Sequence, residues 1–327
     1  MRVRAALMDA DLRVRIGERE LGDPGPGSVL VKVDWAGVCG SDLHAIETGE
    51  WISEWPATLG HEVSGRVEAL GEGVELALGT PVVIDSRIPC MECEGCATDP
   101  DRCTRVTVLG EACPGGFATH VLVPARSAHP VPANLQGEDA VLAAPLAVAF
   151  HAISRAPSSP SSVLVLGHGP LGALLHIELR RRFPQVEVSV AEPAPRRAEL
   201  ATALGARCVA EASSLSAAAF DLVIDAAGYR DALGDAVRTV RDGGTILLVA
   251  LAGEPAGVGL KAVVQRRITI AGINAFIDEL PEAIMALSAE PWRYRPVITH
   301  AIGLEELPDA IDKEAIRATA VKVLVHP

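Results

Sequence analysis

Residues Cys90–Cys103 read CMECEGCATDPDRC, four cysteines at C-x2-C-x2-C-x6-C spacing. Four thiolates complete a tetrahedral zinc shell and leave no open position, so this set suits a structural ion and not a catalytic one. Gly95 and Pro100 suit a compact loop folded around the ion. An iron–sulfur cluster also takes four cysteines, but no other feature asks for electron transfer. Two further segments are CGSDLH at Cys39–His44 and GHEVSG at Gly60–Gly65. Cys39 and His61 offer one thiolate and one imidazole, suitable chemistry for a catalytic zinc. Glu62 supplies either an oxygen ligand or a nearby carboxylate that tunes the ion. Ser41 and His44 are close enough to Cys39 in sequence to pass a proton outward.

A third constellation is VLVLGHGPLGALLHIEL, with Gly167, Gly169 and Gly172 as G-x-G-x-x-G. The match is weak alone, but here it follows an expected strand and opens an expected helix at Pro170 and Leu171. Gly167 permits the tight turn, Gly169 lets the backbone approach a pyrophosphate, and Gly172 allows close helix packing. The pyrophosphate would sit on the exposed amides of the helix N-terminus. Glu192 ends the next strand, twenty residues after Gly172. A carboxylate there accepts hydrogen bonds from the ribose hydroxyls of NAD and repels the 2′-phosphate of NADP. Arg196 and Arg197 follow closely, and either can stack on adenine or pair with a phosphate. NAD is the expected cofactor.

The elements that must position these residues are of two kinds. VLVKVDWAG, HEVSGRVEAL, TPVVIDS and FATHVLVPA read as strands separated by turns, and few helical periods occur before residue 137. From Asp139 the pattern changes. AVLAAPLAVAFHAIS is a long apolar helix, and strands then alternate with helices: VLVLG, VEVSVAE, FDLVIDAAG, GGTILLVA and ITIAGIN are strands, while Pro170–Phe183 and Arg196–Gly205 are helices. Such a βαβ series with continuous apolar strands predicts a parallel sheet covered on both faces. The last apolar run, AVKVLVHP, is free to return to the first domain.

The chain resembles the zinc-containing medium-chain alcohol/polyol dehydrogenases, sorbitol, threonine and cyclitol dehydrogenases among them. The matching pieces are CGSDLH, GHEVSGRV, CMECEGCATDPDRC, GGFATHVLVPA, APLAVAFHA, VLVLGHGPLG and RRAELATALGA, in order along nearly the whole chain. The resemblance implies an α/β protein with a GroES-like β-rich catalytic domain over residues 1–148, carrying a zinc lobe at 90–103. A Rossmann NAD-binding domain would span 149–290, and 291–327 would return to the catalytic domain. It implies that Cys39, His61 and Glu62 hold or flank a catalytic zinc and that Cys90, Cys93, Cys96 and Cys103 hold a structural one. Ser41 would sit beside the substrate oxygen, and His44 would connect the proton relay to solvent through the cofactor ribose. Gly167, Gly169, Pro170, Leu171, Gly172, Glu192 and Arg197 would bind the cofactor. Trp51 and Trp55 fall where the family often lines its substrate pocket.

One departure stands out. The family usually places Glu, Cys or Asp before the proline of APLAV, completing the catalytic zinc site, and here the residue is Ala144. Glu62 and water would then fill the shell, with Cys113 as a substitute donor. His120 stands where the family commonly has tyrosine.

The resemblance implies hydride transfer between NAD and a secondary alcohol or ketone borne by a polyol, cyclitol, sugar or amino alcohol. A zinc-free reductase acting on an activated double bond, of the quinone/enoyl type, is the enzymatic alternative. A noncatalytic cofactor-sensing or structural protein is the alternative of another class. The 327 residues allow two domains, and 22% charged residues are ordinary for a globular chain. A net charge of -13 argues against a broad nucleic-acid surface, since phosphate binding requires excess cations. The first residues lack the apolar stretch of a secretory signal, and no run spans a bilayer, so the cytoplasm is expected, while the resemblance implies a homodimer or homotetramer.

Overall fold

The computed structural model describes residues 1–251, 257, 259–312 and 319–327. The chain divides into two units, Met1–Ala144 with Leu280–Ile316 and Lys322–Pro327, and Pro145–Glu279 with Arg317–Val321. The second boundary therefore falls at Leu280 and not after residue 290. The helix Leu280–Ala289 belongs with the first unit, where Asn134 and Ser288 exchange two hydrogen bonds of 3.0 Å.

In the first unit a seven-stranded sheet is built around the long strand Ser28–Gly37. Glu62–Leu70 and His120–Pro124 both pair with it antiparallel. Pro81–Ile84 and Ala128–Pro130 extend the sheet on one side. On the other side lies Lys322–His326, with Leu324 opposite Gly37 and Val325 opposite Ala36, and beyond it Ile298–Gly303. The C-terminal run thus returns to the first unit. Alternation along these strands buries Val29, Val31, Ile84 and Val121 in one core.

The sequence shows few helical periods before residue 137, yet Gly40–Thr48 is a helix. Its signal is a cap and not a period. Asp42 Oδ2 accepts the Cys39 backbone N–H at 2.8 Å, and Gly49, in the left-handed region at φ 73°, ends the helix by donating to Ala45 O. Only Asp42 and Ala45 are buried, which is why apolar spacing does not reveal it.

The second unit holds a six-stranded parallel sheet. The strands lie in the order Arg207–Val209, Glu187–Ala191, Ser162–Leu166, Phe220–Asp225, Val240–Leu248, Thr269–Gly272. Numbered along this unit, that is 3-2-1-4-5-6, the dinucleotide-binding order. Val163, Leu164, Val165 and Leu166 are fully buried, as a strand covered on both faces requires. The order reverses beside Ser162–Leu166, and the glycine turn begins at that strand's C-terminal end with Gly167, at φ 84°.

Gly172 sits in the first turn of the helix Pro170–Arg182, and a Cβ added there would lie 2.2 Å from Gly167 O. The turn must move to admit it. Gly172→Ala is expected to cost about 1–3 kcal/mol and to weaken dinucleotide binding, read by denaturant unfolding and by cofactor titration of the same preparation.

Candidate functional site

In the zinc lobe the short helix Glu94–Thr98 carries Cys96, and Cys93 caps it, with its sulfur accepting from Cys96 N at 3.5 Å. The four sulfurs are separated by 3.5 Å for Cys93–Cys96 and Cys90–Cys103, 3.9 Å for Cys90–Cys96 and 4.0 Å for Cys93–Cys103. Tetrahedral thiolates around zinc, at a Zn–S distance of about 2.3 Å, stand about 3.8 Å apart, so the four cysteines fit that ion. Backbone amides point at the sulfurs: Cys90 N and Arg105 N reach Cys103 Sγ at 3.2 and 3.3 Å. The amides of Thr104 and Cys96 draw the Cys93 thiol down to about 5, whereas burial and the neighbouring sulfurs push Cys96 up to about 12. Four thiols this close cannot all ionise without a cation between them.

The second cluster is drawn from two segments. Cys39 precedes the helix Gly40–Thr48, and His61 and Glu62 lead into the strand Glu62–Leu70. Ligand atoms of Cys39, His61 and Glu62 all lie within 4.8 Å of one another. Asp42 organises them. Its Oδ1 lies 3.5 Å from His61 Nδ1 and accepts Gly60 N, while its Oδ2 holds the Cys39 backbone. Asp42 is 3% exposed, so this carboxylate acts in a poorly solvated place. Burial disfavours a charged His61, but Asp42 and Cys39 outweigh it and hold the imidazole well above its ordinary range. Burial likewise raises Cys39, and His61 brings the thiol back below its ordinary value. A half-buried thiolate–imidazolium pair of this kind is a donor set whose proton a divalent cation can replace. Sequence reasoning passed over Asp42, although its place three residues after Cys39 is a capping signal.

Glu62 is also buried, and its partner is Lys322, which sequence reasoning missed. Lys322 Nζ forms an ion pair with Glu62 Oε2 and donates to Val38 O at 2.8 Å. The route between them passes over Gly37, which pairs with Glu62 and with Leu324. A Cβ on Gly37 would lie 2.2 Å from Glu62 Oε2 and 2.8 Å from Lys322 Cε. Burial raises the Glu62 carboxyl, with Lys322 pulling in the opposite direction.

Ala144 adds no donor, and among the described residues the second cluster stays at three protein groups. Cys113 is not one of them: its thiol faces Val108 O at 3.9 Å, and burial and Glu54 push it up to about 11. Ser41 and His44 stand three apart on the helix Gly40–Thr48, hence on one side of it. His44 Nε2 lies 2.9 Å from Glu50 Oε2, and its ring packs against Trp51. Trp51 and Trp55 are each 40% exposed. His120 bonds Thr119 Oγ1 at 2.9 Å and pairs with Glu68 at 3.2 Å.

In the second unit Gly169 caps the helix Pro170–Arg182, with Pro170 in its first turn. A Cβ on Gly169 would meet only Arg197, at 3.9 Å, so the backbone there is open to close approach. Glu192 is 5% exposed, with Oε2 accepting His168 N and Oε1 accepting Ala194 N, both at 2.8 Å. Each oxygen keeps a further lone pair for another donor. Arg197 Nε is held by Ala320 O at 2.9 Å, and Arg196 pairs with Glu199. Beneath the turn, His168 and His176 are fully buried with ring nitrogens 3.2 Å apart, and burial pushes them down to about 4 and about 3.

Two family profiles match the chain: an alcohol dehydrogenase GroES-like domain over residues 25–133 and a glucose dehydrogenase C-terminus over 140–326. The starvation-sensing protein RspB of Escherichia coli K12 is 30% identical over 94% of each chain. D-arabinitol dehydrogenase 1 of Uromyces fabae is 31% identical over 91% of this chain and 90% of its own. Among solved structures, a Sinorhizobium meliloti 1021 protein described as a zinc-binding dehydrogenase, bound to NADP, superposes with a TM-score of 0.90 at 27% identity and full coverage of both chains. An Escherichia coli CFT073 protein described as a short chain alcohol dehydrogenase, complexed with NADH, gives 0.87 at 28%, covering 100% of this chain and 99% of its own.

Two expected outcomes test these sites. Cys96→Ser leaves three thiolates and should lose one zinc per chain and lower the melting temperature, measured by elemental analysis and calorimetry. Lys322→Met leaves the Glu62 carboxylate buried without its cation and should cost about 3–5 kcal/mol in denaturant unfolding. Most of that loss should be recovered in the Lys322→Met, Glu62→Gln double variant, and no recovery would show that the lysine acts through packing alone.

Proposed function

Because the chain belongs to the zinc-type medium-chain alcohol/polyol dehydrogenase family, we propose that it interconverts a secondary alcohol and its ketone with NAD, the alcohol being part of a polyol, cyclitol, sugar or amino alcohol. The observation that carries this reading is the Cys39–His61–Glu62 group, half-buried at Cys39 and His61 and buried at Glu62, separate from the four-cysteine lobe. Three protein donors with one position open are what a catalytic zinc uses, whereas four closed thiolates are what a structural one uses. When bound, zinc on Cys39, His61 and Glu62 supplies Lewis acidity toward a substrate hydroxyl, and NAD supplies the hydride acceptor.

The chain's own residues do the rest. Asp42 orients His61 and, by holding the backbone of Cys39, sets the thiol beside it. Lys322 offsets the charge of Glu62 and tethers it, so the carboxylate is available without being free. Ser41 receives the hydroxyl proton, and His44, one turn along the same helix, passes it to solvent. Reduction of an activated double bond without zinc would leave the Cys39, His61, Glu62 and Asp42 arrangement without a use.

Glu192 favours NAD. Its carboxylate is fixed at the end of the strand Glu187–Ala191 by two amides, retains lone pairs for ribose hydroxyls, and repels a 2′-phosphate. Reduced thiolates in two zinc sites suit the cytoplasm, and among the described residues no helix is long and apolar enough to cross a membrane. Association with a second copy is supported by the edge strand Thr269–Gly272, where Ile270 is exposed, and by exposed Leu260 and Val264 on a nearby helix in sequence.

The test is a screen of polyols, cyclitols and amino sugars with NAD and NADP on zinc-loaded protein, beside Cys39→Ser. The parent should carry two zincs per chain and turn over with NAD preferred. Cys39→Ser should carry one and lose at least a hundredfold in rate. Retention of both zincs and of turnover in Cys39→Ser would refute the catalytic-zinc reading.

A further inference from the structure

We infer that Glu50 is a positioning residue for His44, holding its imidazole as the Nε2–H tautomer so that Nδ1 is the nitrogen that exchanges protons. This rests on the relay reading of Ser41 and His44 given above. Glu50 lies beyond the end of the helix Gly40–Thr48, outside every segment that the sequence singled out.

Three separate restraints converge on this histidine. The first is the 2.9 Å contact between His44 Nε2 and Glu50 Oε2. An ionised carboxylate only accepts hydrogen bonds, so Nε2 must carry the hydrogen. The second is the backbone that delivers Glu50. Gly49 turns the chain in the left-handed region, and Thr48 Oγ1 donates to His44 O at 2.8 Å while accepting Glu50 N at 3.1 Å. One hydroxyl thus joins the main chain of Glu50 to that of the histidine it faces. The third is Trp51, whose ring centroid lies 4.8 Å from that of His44, tilted by 34°. Trp51 itself has φ 69°, a conformation that a bulky side chain keeps only where its surroundings hold it.

An exposed ion pair alone contributes little to stability, so Glu50 is not needed to hold the helix. Its effect is on which nitrogen is available. With Nε2–H committed to the carboxylate, Nδ1 bears the free lone pair, and it has no hydrogen-bond partner among the described residues. Nδ1 accepts the proton that Ser41 passes on, both nitrogens then carry hydrogen, and the carboxylate faces the cation until Nδ1 releases its proton to water. Glu50 itself neither gains nor loses a proton.

The test uses zinc-loaded protein with NAD, labelled with 15N, and the alcohol found active in the screen. Long-range 15N–1H spectra should report His44 as the Nε2–H tautomer in the parent and as a mixture in Glu50→Leu. In Glu50→Leu, kcat for alcohol oxidation should fall about tenfold, with KM for the alcohol changed less than twofold. Glu50→Gln, whose amide oxygen still accepts from Nε2–H, should restore the tautomer and most of the rate. An unchanged tautomer or an unchanged kcat in Glu50→Leu overturns the proposal, as does a Glu50→Gln variant no faster than Glu50→Leu. Unchanged kcat in His44→Ala would sink the relay reading instead, and the spectra would still judge Glu50 by themselves.

Discussion

A carboxylate without water must have a cation near it, and Glu62 has only one way to reach its cation. The side chain is 3% exposed, and Lys322, itself fully buried, comes from the far end of the chain. Between their strands runs Ser28–Gly37, and any side chain at its last position would occupy the space where lysine and glutamate meet. The absence of a Cβ at Gly37, the return of Lys322–His326 to the sheet and the burial of Glu62 are one constraint seen from three places. Removing one member of such a pair leaves a desolvated charge, which costs far more than the pair itself contributes.

The same economy of charge governs the neighbouring groups. Asp42 serves the helix and the imidazole at once: one oxygen holds the backbone of Cys39, and the other meets Gly60 N and faces His61. Two cationic groups, Lys322 and His61, set among three acidic ones, Glu62, Cys39 and Asp42, let five polar groups share one poorly solvated region. His44, on the helix Gly40–Thr48, is 34% exposed, with Glu50 at its Nε2 and Trp51 against its ring.

In the second unit the governing constraint is backbone proximity. Gly167 turns in the left-handed region, Gly172 allows the helix to press on Gly167 O, and Gly169 keeps an amide surface clear. Glu192 is fixed to this turn through His168 N, so the carboxylate and the glycine turn are held together as one unit. The dry His168–His176 pair beneath it is held neutral by burial, which keeps positive charge out of the packing under the turn.

Much of this was legible in the chain. The parallel sheet follows from apolar runs such as VLVLG, which only a strand covered on both faces can use, and the glycine turn follows from its place between strand and helix. The four-cysteine spacing determined its own site, because all the ligands of a compact lobe lie within one short loop. Cys39, His61 and Glu62 were nameable from local motifs by their resemblance to a family. The helix Gly40–Thr48 was not read, since its evidence is a single capping carboxylate with no apolar period. Lys322 was beyond the reach of any local pattern: it pairs with a residue 260 positions away, and its own segment reads as an ordinary apolar strand. Glu50 was missed for the opposite reason, being near His44 in sequence but brought to its ring only by the turn at Gly49. Local spacing determines which groups are available for chemistry, whereas the charge that each one carries depends on neighbours that only strand pairing and a helix cap bring within reach.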